Sequence, residues 1–515
     1  MKLLTKRNLL FIGSGAFLLF LCLGIRLINL TKIPVFADEA IYIRWAQVMR
    51  AEPTLRFLPL SDGKQPLFMW IVIPFLKIFS DPLISGRIVS VLCGVTTCLG
   101  IGALSFLLFK SKRAALLSSF LYTFSPFSFF FDRLALVDSM LTMFGVWFLV
   151  FLTISVKKMR WDFSMLAGFA LGAALLTKSP GLFFLLLIPV SAFLAHFPKS
   201  KNARAIYSLK LFGLWITTIV IGYGMSQVMR LGPNFQMIAS RNLDYVFPAN
   251  HIFQDPKDPF IFNLDRALEW LFILGPVWIL ALSLLGVFKK IKNQPKELLF
   301  LLAFFAGPFL VGCMYARVFT ARYVLYTLPP LFVISGLSAL YLNKLRLITV
   351  SLVFIFLSHA LYLNFLFISN PTAALLPQSE RSGYLQEWSA GWGIKESAEI
   401  ILAEHNTHPE EKILVGTEGY FGTLPDGLQM YLEKIPNVVV IGTGLDFKKI
   451  PEQLLDAKKS GSKVYFAVNS SRINKEMSFE GLNKLLSIDK PLRTDGTHEF
   501  VAFGPRETYF LFELK

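Results

Sequence analysis

Runs of apolar residues, separated by short polar stretches, fill positions 1–367. Many approach the roughly 20 residues that a helix needs to cross the hydrocarbon core of a bilayer. They predict spans at about 8–30, 67–79, 84–109, 114–131, 134–156, 163–177, 180–197, 208–228, 267–288, 298–314, 323–342 and 347–367. The first run is too long for the apolar core of a secretory signal, and no clear small-residue cleavage site follows it, so it reads as a retained span. After 367 the pattern changes. Residues 412–417 (KILVGT), 437–441 (NVVVI) and 463–468 (KVYFAV) read as buried strands, and 424–434 and 451–459 read as helices. This alternation predicts a small α/β layer domain. The expected fold class is mainly α: a polytopic transmembrane helix bundle over residues 1–367, with a C-terminal extracytoplasmic α/β domain over 368–515.

Basic clusters between the runs set an orientation, because Lys and Arg gather on the cytoplasmic side. The clusters are Lys2/Lys6/Arg7, Lys110/Lys112/Arg113, Lys157/Lys158/Arg160, Lys199/Lys201/Arg204, Lys289/Lys290/Lys292 and Lys344/Arg346. The remaining loops then face outward: 31–66, the turns near Asp132 and Lys178, 229–266, the turn from Arg317 to Arg322, and the tail after 367. With 31–66 outside and Lys110 inside, residues 67–109 must cross an odd number of times. Either 67–79 is re-entrant or 84–109 holds two short crossings, for a total of about 11 to 13 spans of bilayer-crossing length. No repeat of 20–50 residues is visible, and no pair of Gly/Pro-broken spans in matching halves, which disfavours a secondary transporter.

Composition agrees with a membrane chain. Of 515 residues, 54% are hydrophobic and 17% charged, against about half and about a quarter in soluble domains. The net charge of +17 would suit a nucleic-acid binder only if it formed a patch. Much of the excess sits instead in the short clusters between spans, so no nucleic-acid partner is expected. Cys22, Cys93, Cys98 and Cys313 all lie in apolar runs, which implies neither a disulfide framework nor a cysteine metal site. The C-terminal domain has no GxGxxG or GxxxxGK[ST] loop, so nucleotide binding is not indicated.

Ionisable residues among apolar spans are costly, so their positions direct attention to function. Most of the notable ones fall on the expected outer side. Asp38 and Glu39 follow the first span. The segment AIYIRWAQVMR then sets Ile41, Trp45, Val48 and Met49 on one helical face, as in an amphipathic helix lying in the interface. A plain N-cap role for Asp38 is the simpler alternative. Lys64, in DGKQPLFMW, ends the same loop, where a snorkelling lysine is equally natural. FDRLALVDSMLTMF carries Asp132, Arg133 and Asp138. If its helix begins near 132, Asp138 lies about 9 Å deeper at 1.5 Å per residue. A lipid-facing Asp there would cost about 2.5–3.5 kcal/mol, so Asp138 should face a cavity or a cation. An internal pair with Arg133, or a pair with a neighbouring helix, is the structural alternative. Lys178 in LLTKSPG, and Arg322-Tyr323 in TARYVLYTLPPL with Arg317 near them, could hold an anionic headgroup or simply anchor their spans. Histidines 196, 251, 359, 405, 408 and 498 show no HExxH-like spacing. A divalent cation beside His251, Asp255, Asp258 and Asp265 is the lesser reading, because a solvated loop explains those residues better.

Taken in order, the pieces ADEAIYIRWA (37–46), GKQPLFMW (63–70), FDRLALVDSMLTMF (131–144), LLTKSPG (175–181) and ARYVLYTLPPL (321–331) resemble the membrane glycosyltransferases of the type-C fold. The nearest branch is similar to the protein O-mannosyltransferases, the lipid A aminoarabinose transferase and their bacterial relatives. The resemblance implies an inverting transfer of a sugar from a polyprenyl-phosphate carrier to a protein, lipid or glycan acceptor outside the plasma membrane, as part of cell-envelope or protein glycosylation. It implies Asp38 as base or acceptor-orienting carboxylate, with Glu39 as companion. Tyr42 and Lys64 match positions near the carrier phosphate, Asp138 the second carboxylate, and Arg322 an arginine able to hold that phosphate. Arg133, Lys178 and Tyr323 complete the expected substrate-binding set. The chain departs from the pattern at Gln65, where Pro is frequent, at Gly63, where the aminoarabinose transferase has Glu, and at Ile41, where it has Arg. These departures count against a bound metal and against aminoarabinose. A glycan polymerase or ligase using a polyprenyl-diphosphate oligosaccharide, served by the long 229–266 loop, is one alternative. A lipid-linked sugar flippase is the other; it would place charges along a midplane path.

Overall fold

The computed structural model describes residues 6–341 and 345–515. Lys2 and Lys344, each assigned above to a basic cluster, lie outside the described residues. The chain divides into two compact units. One comprises the N-terminal stretch through Ile28, Thr54–Ile71 and Arg87–Ile368; the other comprises Asn29–Pro53, Val72–Gly86 and Ser369–Lys515.

The first unit is helical. Among the described residues, six helices are long and apolar enough to cross a membrane: Arg7–Leu27, Pro82–Phe109, Val137–Lys158, Lys201–Leu231, Pro295–Tyr315 and Arg346–Ser369. These are the spans of an integral membrane protein. Two further apolar pairs are bent: Phe260–Ile273 with Pro276–Phe288 at 91°, and Ala321–Thr327 with Pro329–Leu340 at 56°. Their causes are local. Gly275 takes φ +88° ahead of Pro276, and a Gly in this left-handed region stops one helix where a Pro at the first helical position starts the next. Thr327 precedes the Leu328-Pro329-Pro330 break. Trp161–Thr177 and Ser179–Leu194 are shorter apolar helices.

Two expectations about the spans change. The run expected as one span at 114–131 is two helices, Lys112–Phe124 and Pro126–Phe131. Ser111 caps the first by accepting the Ala114 N–H at 3.2 Å. Pro126 then forces Ser125 into an extended conformation (φ −54°, ψ 120°), as residues before proline prefer. The odd-crossing problem at 67–109 is also resolved. Pro82–Phe109 is one unbroken helix of 28 residues, whereas Leu67–Phe75 has 9 residues, too few to cross a core of about 30 Å at 1.5 Å per residue.

Small residues bring two of these helices, Trp161–Thr177 and Lys201–Leu231, close together, as in membrane bundles generally. A Cβ at Gly172 would lie 2.7 Å from Met225 Cβ, and one at Gly222 2.7 Å from Leu171 Cδ2. The Ser164 and Thr218 hydroxyls meet at 2.9 Å across the same contact.

The second unit holds a five-stranded mixed sheet: β1 (Ile413–Glu418), β2 (Val438–Gly444), β3 (Lys463–Asn469), β4 (Leu482–Asp489) and β5 (Thr508–Leu514). The order is β2-β1-β3-β5-β4. β1 is parallel to β2 and β3, and β5 is antiparallel to β3 and β4. The three expected strands and the helices expected at 424–434 and 451–459 are found, the latter as Asp426–Tyr431 and Glu452–Lys459. Val464, Phe466 and Val468 alternate onto one face and pack with Leu454 and Phe512, as the two-residue period of a strand requires. On β5, Tyr509 bonds Ser397 of helix Ile394–Thr407 at 2.8 Å.

Candidate active site

The acidic motif at 131–144 folds differently from the helix expected to begin near 132. The α-helix starts at Val137, after an extended Leu136 (φ −120°, ψ 148°). Asp138 therefore stands in the first turn of a long helix instead of two turns inside it. An anion is favoured there by the helix dipole, typically by about 0.3–1 kcal/mol. Lys178 occupies the complementary position. It caps the C-terminus of helix Trp161–Thr177 in extended conformation, and the Ser179-Pro180 step stops the helix there. A cation at a helix C-terminus is favoured for the same reason.

These two helix ends meet. Lys178 Nζ lies 2.6 Å from Asp138 Oδ1, with the Asp138 side chain only 2% exposed and that of Lys178 20% exposed. The Lys178 ammonium also sits 3.9 Å from the centre of the Tyr323 ring, and the Arg322 guanidinium lies 5.4 Å from the same ring. Cation–π contacts of this kind are worth about 0.5–1 kcal/mol when exposed and about 2 kcal/mol or more when desolvated. Four expected site residues, Asp138, Lys178, Arg322 and Tyr323, thus form one cluster within the first unit.

Lys64 approaches this cluster through its neighbour. Gln65 Nε2 donates to Ser179 Oγ at 2.8 Å, next to Lys178 in sequence. Lys64 Nζ lies 3.4 Å from Asp62, which Arg241 also approaches at 3.8 Å. The departure at Gly63 has a steric basis. Gly63 adopts φ +66°, and a Cβ on it would stand 2.5 Å from both Arg241 Cβ and Met237 O.

Asp132 and Arg133 take other places. Asp132 is fully buried and pairs with Arg26 at 3.1 Å. It also accepts hydrogen bonds from Tyr122 OH and Ser139 Oγ, each at 2.9 Å. Arg26 in turn donates to the Thr123 carbonyl at 3.1 Å. So complete a set of partners describes a structural clamp between helices. Arg133 donates to the Ile28 carbonyl at 2.9 Å and lies over the Phe129 ring at 4.9 Å. Arg26 and Arg87, both fully buried, were not singled out from the sequence. The available signal was an arginine inside an otherwise apolar run.

Asp38, Glu39 and Tyr42 belong to the second unit, on helix Ala37–Ala51. Asp38 is half-buried in its first turn. The fully buried Glu39 carboxylate accepts the Phe36 N–H at 3.0 Å, which satisfies one of the four donors a helix start leaves open. Tyr42 is buried, its ring 6.2 Å from that of Trp45. The helix does not present a polar face to water as an interfacial helix would. Gln47 donates to the Met430 carbonyl at 2.8 Å, Arg44 to Gln429 at 3.3 Å and Arg50 to Glu433 at 2.6 Å. Helix Asp426–Tyr431 and the residues after it cover that face.

The polar side chains of the histidine loop are engaged with one another. His251 Nε2 meets Asp258 at 3.1 Å and its ring stacks on Phe247 at 4.1 Å. Asp255 accepts the N–H groups of Lys257 and Asp258 at 3.2 and 3.3 Å. Among the described residues, the cluster with three convergent ligand atoms is Glu404, His408 and Glu411. There Glu404 is already approached by Lys463 at 3.4 Å.

Comparison with known proteins bears on this geometry. Residues 63–223 match the family described as Dolichyl-phosphate-mannose-protein mannosyltransferase, a stretch that contains Lys64, Asp138 and Lys178. The comparison with curated proteins finds no match. Among solved structures, the chain is similar to ArnT from Cupriavidus metallidurans bound to undecaprenyl phosphate, at 14% identity and a TM-score of 0.53, over 98% of each chain. It is likewise similar to the apo state of that protein, at 15% identity and a TM-score of 0.52, over 90% of this chain and 93% of that one. The fold is that of the type-C membrane glycosyltransferases, and the resemblance drawn from the sequence motifs holds.

Proposed function

Starting from a type-C glycosyltransferase fold, we propose that this chain transfers a sugar from a polyprenyl-phosphate-linked donor to an acceptor outside the cytoplasm, with inversion at the anomeric carbon. The acceptor is a protein hydroxyl, a lipid or a glycan. The observation that carries the reading is the buried Asp138–Lys178 pair on Tyr323 beside Arg322, much of it within the stretch that matches the mannosyltransferase family. An ionisable pair set among membrane spans is a functional candidate by default.

In this reading the acceptor oxygen attacks the anomeric carbon as the bond to the carrier phosphate breaks. The acceptor proton passes to Asp38, a general-base role commonly worth about 10²–10⁴-fold. The leaving polyprenyl monophosphate gathers negative charge, which Lys64 and Arg322 stabilise. Lys178 fixes the orientation of Asp138, which holds a sugar or acceptor hydroxyl. The isoprenoid tail of the donor requires the enzyme to sit in a membrane; in this reading that membrane is the plasma membrane, with the catalytic side and the 368–515 domain facing outward by the placement of the basic clusters. The ArnT structure with undecaprenyl phosphate supports a carrier of this class.

The test is incubation of the purified protein with defined undecaprenyl-phosphate sugars and a crude envelope acceptor, read by mass spectrometry. Release of free undecaprenyl phosphate together with a glycosylated product is the expected result. Translocation of intact donor across a liposome membrane without release would favour a flippase. Consumption of diphosphate-linked oligosaccharide alone would favour a polymerase or ligase.

A further inference from the structure

Three helices of the first unit begin at the same place. Lys6–Leu27, Lys112–Phe124 and Arg346–Ser369 contribute their first turns to one groove of about 1030 Å³, lined among others by Leu10, Phe17, Arg113, Phe120, Thr349 and Val353. The volume is at the top of the range of about 300–1,000 Å³ that binding pockets span. The walls are almost wholly apolar, and several are exposed: Leu10 is 63% exposed, Phe17 65% and Val350 49%. The mouth is basic. Arg113 lines it, and Arg7, Lys110 and Arg346 at the starts of the same segments are exposed.

Three further observations point to a ligand with an anionic head and apolar tails. The N-terminal turns of three helices line the groove, and the helix dipole gives each start a partial positive charge. Among the described residues, the Thr349 hydroxyl in the groove wall is 2% exposed and has no hydrogen-bond partner; a buried hydroxyl of this kind seeks an acceptor. A Cβ on Gly13, which lines the groove, would meet nothing within 4 Å, so the first helix leaves open space where a side chain would otherwise stand.

We propose that this groove is a binding site for an anionic phospholipid of the leaflet facing the basic clusters. Its acyl chains lie between the first and last helices of the unit. Its phosphate sits at Arg113 and the helix starts, with a glycerol ester oxygen accepting from Thr349. Basic pockets between transmembrane helices on the cytoplasmic side recognise such headgroups, and isolated apolar tails alone would need no cation. The site is separate from the Asp138–Lys178 cluster and stands whether or not the chain transfers sugar.

Native mass spectrometry of the full chain in detergent, titrated with dioleoyl phosphatidylglycerol, dioleoyl phosphatidylcholine or undecaprenyl phosphate, tests the proposal. Wild type should retain phosphatidylglycerol several-fold better than phosphatidylcholine. Arg113→Gln should erase that preference. Gly13→Phe, which fills the groove from an exposed helix position, should abolish one phosphatidylglycerol adduct. Both variants should match wild type in thermal unfolding without added lipid. Equal retention of the two phospholipids by wild type would overturn the proposal. So would an Arg113→Gln variant that keeps the preference, or undecaprenyl phosphate occupying the groove in a form that phosphatidylglycerol does not displace.

Discussion

Removing Lys178 leaves Asp138 as a nearly dry carboxylate with its cation gone, whereas removing both charges leaves neither in need of compensation. Breaking a buried pair from one side costs about 3–5 kcal/mol, with the lower end expected here because Lys178 is 20% exposed. Lys178→Met should therefore lower the thermal unfolding temperature in detergent markedly. The double variant Asp138→Asn/Lys178→Met should recover most of that loss while still failing to transfer sugar. A pair with a purely structural role would recover both. Asp132 provides the contrast. Its partners Arg26, Tyr122 and Ser139 account for it without substrate, so Asp132→Asn should depress unfolding temperature but leave transfer per folded molecule intact. Lys490 adds a pH signature. It is 1% exposed and donates to the Glu387 and Ala390 carbonyls at 3.0 and 2.9 Å. Burial pushes its pKa down to about 8 despite the acidic neighbours Glu507, Glu418 and Glu387. The unfolded lysine titrates near 10.4, so between these values the unfolded chain holds the extra proton and stability rises with pH. Below about 8 the lysine is charged in both states and the penalty is complete. Unfolding temperature should climb from pH 7.5 to 9.5 in wild type and climb less in Lys490→Met. Asp138 and Lys178 were both visible in the sequence as charges at the rims of apolar runs. Their pairing was not, because 40 residues separate them and only the packing of two helix ends joins them. Arg26 stayed hidden because a single arginine within a long apolar run does not break it.

Proline and glycine decide where the elements stop, and they also set the reach of the site residues. Pro180 ends the helix that delivers Lys178, and Pro126 splits what the apolar pattern presents as a single span. Hydrophobic periodicity registers the run and passes over the break. This is why the length of the runs was legible while their interruptions were not. Gly63 is the clearest case for experiment. Its φ of +66° costs about 1–2 kcal/mol for an L side chain, and a Cβ would collide with Arg241 Cβ and Met237 O. Gly63→Ala should lower both the unfolding temperature and donor affinity by displacing Lys64, whereas Asp62→Asn should affect donor affinity with little change in unfolding. The second unit shows the same limit. Its buried strands β1 and β3 are apolar runs and were found. The edge strand β4, LNKLLSID, is half-exposed with a mixed pattern and was not.

At the scale of the whole molecule, orientation in the membrane ties the pieces to a function. The basic clusters predict that the loop at Lys292 faces the cytoplasm and the C-terminal domain faces outward. All four cysteines are buried, so an added one reports cleanly. Ser478→Cys should react with a membrane-impermeant maleimide in intact cells, and Lys292→Cys should react only after permeabilisation; the reverse pattern would invert the topology. The helical architecture was legible from the apolar runs because their length follows from the bilayer as solvent. The division into two units was less so: Asn29–Pro53 and Val72–Gly86 associate with Ser369–Lys515 through contacts distant in sequence. The central claim is that the acidic residues of the expected outer side carry out glycosyl transfer from a polyprenyl phosphate. It is tested most directly by single-turnover transfer in proteoliposomes with wild type, Asp38→Asn and Asp138→Asn at matched folded protein. The account predicts a loss of about 10²-fold or more for Asp38→Asn, as for a removed general base, and a severe loss for Asp138→Asn. Transfer at the wild-type rate by both variants would contradict it.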